Sequence, residues 1–139
     1  MKNKLLIAVA GMGLLLGVAP IWAHHAFAAE FDVNKPLVLR DTVTKMEWIN
    51  PHAWIHLDVK NADGTVTSWM IEAGAPNGLL RRGFTKGSLP PGTEIVVEGW
   101  QAKDGANRAN GSNITYPDGK KLFIGSSGTG APGDKGGDK

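Results

Sequence analysis

The sequence predicts an all-β fold, a small OB-like (oligonucleotide/oligosaccharide-binding) five-stranded barrel, partly open, with one short helix between strands 3 and 4. Two observations carry this. The order of elements is three meandering strands, a helical stretch, then further strands, and a β-sandwich of this size would not need the helix. The first strand also changes side-chain parity within its length, which marks a bulge of the kind that bends a strand around a small barrel.

Residues 24–36 read as an irregular or briefly helical lead-in ending at Pro36, followed by a long strand from Leu37 to Ile49. Leu37, Leu39 and Val43 share one parity and Met46 and Trp48 the other. Since strand side chains alternate strictly, an extra residue must lie between the two sets. Asn50-Pro51 turns the chain. From Ala53 to Lys60, Ile55, Leu57 and Val59 face one way while Trp54, His56 and Asp58 face the other. The next strand spans Thr65 to Glu72. A three-residue loop Ala62-Asp63-Gly64, with Gly64 at positive φ, sets Leu57 opposite Trp69 and Ile55 opposite Ile71. A two-residue loop would pair Asp58 with Trp69 and mix the faces.

Pro76 to Arg82 reads as a short helix closed by Gly83. Leu89-Pro90-Pro91-Gly92 turns into a strong strand from Glu94 to Ala102. After a loop at Lys103-Asp104-Gly105, Ile114-Thr115-Tyr116 and Lys121 to Ile124 flank the turn Pro117-Asp118-Gly119 as a last hairpin. Residues 24–124 thus form the domain. Residues 125–139, rich in Gly with almost nothing apolar, predict a disordered tail.

Residues 1–23 have the pattern of a cleaved export signal: Lys2 and Lys4, an apolar run from Leu5 to Val18, and a small residue at Ala23. The run is shorter than the roughly 20 residues of a bilayer-spanning helix, and Pro20 interrupts its end, so no stable anchor is expected after cleavage. Cleavage after Ala23 leaves His24 as the first residue, whereas the small-x-small match Ala26-Phe27-Ala28 offers a second position. The protein is therefore expected in the periplasm or secreted. Of its 15 basic residues two leave with the signal, and the remaining 13 balance 13 acidic ones. That balance, without a basic stripe, gives no basis for a nucleic-acid partner. With no cysteine, disulfides, thiolate metal sites and cysteine nucleophiles are excluded. The mature chain reads as a monomer or weak associator.

The four histidines are His24, His25, His52 and His56. Copper and zinc favour imidazole, and copper also accepts thioether sulfur. His52 and His56 stand four residues apart, about 13 Å along a strand, too far to grip one ion by themselves. The preferred hairpin register places His56 opposite Met70, Trp54 opposite Glu72 and Asp58 opposite Ser68. If the N-terminal segment folds over this face, the amine and imidazole of His24 join His52 or His56, a donor set that suits copper. The competing expectation is that His56 and Asp58 are solvated strand positions, with His52 hydrogen-bonded in the Asn50-Pro51 turn. Trp54 is either a stacking platform, with Asp58 and Glu72 beside it, for a small ligand or protein, or a ring packed under a loop. Glu47, Glu72 and Glu98 show no catalytic pairing, and no Gly-x-Ser-x-Gly exists.

His24-His25-Ala26-Phe27, Phe31-Asp32 and Glu47-Trp48-Ile49-Asn50-Pro51-His52-Ala53-Trp54 resemble a family of small exported bacterial proteins of unknown function. Trp69, Glu72, Leu79 to Gly83, Pro91-Gly92 and Ala102-Lys103-Asp104-Gly105 continue the likeness up to Phe123, and Arg40 stands where that family has glycine. The resemblance implies export and a single domain, and brings no activity. The expected function is non-catalytic binding: copper first through His24, His25, His52, His56 and Met70, or a metal-independent ligand through Trp54, Asp58 and Glu72.

Overall fold

The β2–β3 hairpin shows how local chemistry sets the architecture. The computed structural model describes residues 27–126 and 129–132. The signal at 1–23, His24 and His25 therefore lie outside the described residues, as do residues 133–139 of the tail. β2 (Trp54–Lys60) and β3 (Val66–Glu72) pair antiparallel, with Leu57 opposite Trp69, Ile55 opposite Ile71 and His56 opposite Met70. Gly64 takes φ +85°, and Asn61 N–H donates to Thr65 O at 2.8 Å, which makes the three-residue loop. The Thr65 hydroxyl and N–H both donate to Asp63 and hold its carboxyl below the ordinary value.

β1 (Phe31–Glu47) is the longest element and serves two neighbours. Its last residues, Thr42 to Glu47, pair with β2, and the register shifts between Val43 and Lys45. This is the bulge that the parity change predicts. Phe31 to Thr42 pair with β4 (Glu94–Ala102), Arg40 opposite Val96 without interruption. The strand begins at Phe31, six residues before the expected Leu37. Pro36 is tolerated because the β1–β4 ladder is already irregular between Phe31 and Pro36, so the missing N–H breaks no regular pairing.

The sheet order is β3-β2-β1-β4-β5-β6, and a parallel pairing of Met70–Glu72 with Arg108–Asn110 joins β3 to β5. β1 to β5 thereby form a ring closed by only three residue pairs at its last seam, the partly open barrel expected. β6 (Lys121–Phe123) is an added sixth strand on β5 (Arg108–Thr115). α1 (Pro76–Arg81) lies between β3 and β4, with Pro76 in its first turn and Gly83 at φ +78° after its end. β4 and β5 approach so closely at Gly99 that a Cβ there would stand 2.1 Å from the Asn110 carbonyl oxygen.

The main core is aliphatic: Ile55, Leu57, Ile71, Leu79, Ile95, Val97 and Ile114 are buried, with Phe84 among them. Trp48 and Trp69 pack on its rim, partly buried. A second cluster joins Phe27, Phe31 and Ala102 under Trp100. Residues 27–30 are helical, and this turn is tied down by Lys103, whose N–H donates to Glu30 O at 2.9 Å and whose Nζ donates to Ala28 O. Beyond β6, Gly125 is buried and Ala131 packs against the second cluster. Composition alone could not show this, because Gly125 is held by a hydrogen bond from the distant Arg82 side chain to its carbonyl.

Candidate functional site

The β2–β3 ladder continues past the formal strand ends, since Ala53 N–H donates to Gly74 O at 3.0 Å and Ala73 N–H to Ala53 O at 2.8 Å. This continuation, after the cis Asn50-Pro51 bond, places His52 beside Glu72. His52 Nδ1 lies 3.0 Å from Glu72 Oε1, with the imidazole 29% exposed and the carboxylate side chain 9% exposed. The hydrogen bond to Glu72 raises the His52 pKa above 6.5, against the burial that lowers it, and the charges of Glu72 and Glu30 add to the rise. Nδ1–H is the donor to the carboxylate, so in the neutral ring Nε2 keeps its lone pair.

His56 makes a second imidazole–carboxylate pair, Nε2 to Glu47 Oε2 at 3.0 Å. Lys45 donates to the other Glu47 oxygen at 2.6 Å, and Lys45 first, then His56, lower the Glu47 pKa. Here Nε2–H faces the carboxylate and Nδ1 is the nitrogen left over. The two histidines therefore answer to different carboxylates. Asp58 accepts from Ser68 Oγ at 2.6 Å, Met70 is 39% exposed on β3, and Trp54 is half-buried opposite Glu72. Among the described residues, no three His, Asp or Glu side chains gather as a metal-holding group.

His52 borders two clefts. One, of about 50 Å³, is bounded by Phe27, Glu30, Phe31, Glu72 and Asn110, and has room for an ion or a water or two. Glu72 and Asn110 are the buried polar residues of the barrel and face each other across the β3–β5 seam. The other cleft, of about 290 Å³, runs between α1 and the chain after β6, past Asn77, Arg81, Arg82 and Ser126. A larger hollow of about 660 Å³ at Arg40, Asp41, Lys60, Glu94 and Tyr116 shares no lining residue with either. Its two cations sit among two carboxylates, and Asp41, already accepting from Lys60 N–H, is held below its usual pKa by that bond.

Of the expected site residues, the structure brings together His52 and Glu72, and gives His56 and Asp58 separate partners, Glu47 on β1 and Ser68 on β3. Sequence reasoning missed Glu30, Asn110, Arg81, Arg82 and Ser126 around the same histidine. Glu72 had a legible signal, a carboxylate opposite Trp54 at the end of the β2–β3 ladder. The others come from distant segments that only the ring closure assembles. The family model that matches this chain, "Family of unknown function (DUF6152)", covers residues 13–112. No curated protein and no solved structure matches it.

Proposed function

The chain belongs to the DUF6152 family of unknown function, and we propose that it is a non-catalytic periplasmic binding domain that takes a transition-metal ion, copper first, at His52. The observation that carries this reading is the buried Glu72 carboxylate fixing His52 Nδ1. Metal-binding histidines commonly hold their second nitrogen against a carboxylate in this way, which orients the ring and makes the other nitrogen a better donor. The described residues supply too few ligands for a site, so the remainder must come from elsewhere in the chain. Phe27 lines the same small cleft as His52. His24 precedes Phe27 by three residues, a reach of at most about 10 Å, and in this reading His24 and His25 supply the missing ligands.

Cleavage after Ala23 supplies the α-amine that His24 needs for chelation. The burial of Phe27, 5% exposed and edge-on to Trp100 at 5.6 Å, supports this position over Ala28, because cleavage after Ala28 would remove that ring from its cluster. His56, with Met70 opposite, offers a second, softer pair on the strand face. Neither described imidazole is bonded to a hydroxyl, which a nucleophilic dyad would require, and this favours binding over catalysis.

Native mass spectrometry of the mature chain with one equivalent of Cu(II) tests the reading. One retained copper is expected, lost in His52→Ala and in a chain carrying one extra residue before His24. Retention in both variants would refute it. A metal-independent ligand or protein on the strand 2–3 face is the second reading, favoured by exposed Met70, two residues along β3 from the Trp54–Glu72 pair. Binding that ignores chelators and falls in Trp54→Ala would select it.

A further inference from the structure

The roughly 290 Å³ cleft between α1 and the chain after β6 has a composition unlike the rest of this surface. Its lining includes Arg81 and Arg82 and no aspartate or glutamate among the described residues, although the mature sequence balances its charges. Arg82 is held rigid: Nη1 donates to Gly125 O at 2.8 Å and the guanidinium lies 4.9 Å over the Phe123 ring. Ser126 Oγ is buried with no hydrogen-bond partner among the described residues, a cost that a folded chain ordinarily avoids. Asn77 adds a side-chain amide to the same wall. The walls are drawn together by glycine: a Cβ on Gly74 would stand 2.9 Å from Gly125 O, and one on Gly125 would stand 2.7 Å from Phe123.

We propose that this cleft is a binding site for a small oxyanion of the phosphate or carboxylate class, received by Arg81, Arg82, Asn77 and the Ser126 hydroxyl. Guanidinium groups match such anions geometrically, and the buried Ser126 hydroxyl on the same wall adds a further donor. The site goes beyond the proposed metal reading and does not need a metal.

The test is a titration of the EDTA-stripped mature chain with inorganic phosphate and, in a separate arm, citrate, followed by amide NMR at constant ionic strength with chloride as control. Saturable shifts confined to Gly74, Asn77, Gly78, Gly125 and Ser126 are expected in at least one arm, and the stronger arm identifies the class. Arg81→Ala, an exposed position at the end of α1, is expected to weaken binding about tenfold, and Ser126→Ala severalfold. No saturable shift in either arm, shifts reproduced by chloride, or unchanged affinity in both variants would overturn the proposal. Copper retention by Arg81→Ala, read by mass spectrometry, is expected to match the parent chain. Failure of the anion site therefore leaves the metal reading standing, and a chain that binds no copper still reports on the anion.

Discussion

Truncating Phe27 to alanine is the perturbation that most directly probes how the N-terminal segment is held. The ring is 5% exposed, lies 5.8 Å from Phe31 and 5.6 Å from Trp100, and rests on a cluster whose other buried members are Phe31 and Ala102. A fully enclosed Phe→Ala change costs about 3–5 kcal/mol. Here the cluster is a satellite of the main core, and residues 27–30 can lift away once the ring is gone, so the loss is limited to the docking free energy. About 2–3 kcal/mol remains, the burial of one aromatic side chain. For about 100 ordered residues that lowers Tm by roughly 10–20 °C. The assay is thermal unfolding of the mature chain by circular dichroism, with tryptophan fluorescence reporting on Trp100. A chain beginning at Ala29 should unfold at nearly the same temperature as Phe27→Ala. A fall of less than about 3 °C in both would show that the segment is not part of the folded unit, and would remove the argument that brings His24 near His52.

Three further outcomes follow from the geometry. Gly99→Ala drives a methyl group into the backbone at Asn110 and is expected to cost about 3 kcal/mol or more, whereas Gly111→Ala meets side-chain methyls of Ile71 and Ile124 at 2.8 Å and the Glu72 carbonyl oxygen only at 3.3 Å, and should cost about 1–2 kcal/mol, read from urea midpoints. Glu72→Gln should lower the His52 pKa in an imidazole NMR titration, since the bond to that carboxylate is the largest cause of its rise. A raised folded-state pKa stabilises the protein in full below about pH 6.5 and loses that contribution as pH climbs through the folded value; denaturant midpoints of the parent should decline over that window, and those of Glu72→Gln should decline less.

The hairpin, the first-strand bulge, α1 and β4 were legible because each is set by neighbours in sequence: alternation around Gly64, the parity change at Val43, Pro76 with Gly83, and the run from Ile95 to Trp100. The first residues of β1 and β5 were not. Pro36 argues against a strand unless the irregular ladder is known, and Arg108-Ala109-Asn110-Gly111-Ser112-Asn113 has no apolar alternation. Its place in the barrel comes from parallel pairing to β3 and from the close approach at Gly99. The site divides in the same way. Trp54 opposite Glu72 followed from register, but His52 meets Glu72 only because the ladder runs on through Ala53, and Arg82 and Ser126 reach the same hollow from either side of three strands.

The long first strand also governs when the protein can fold. Phe31 must find Ala102 and Leu39 must find Val97, so most of β1 has no partner until β4 exists. The β3–β5 seam waits longer still, for Asn110. Contacts this remote in sequence require large loops to close before they are rewarded, which slows folding and leaves early fragments unstructured. On the proposed export route that delay is an advantage: an emerging chain whose opening strand lacks its partner stays threadable, and the barrel shuts only after nearly all of it has crossed.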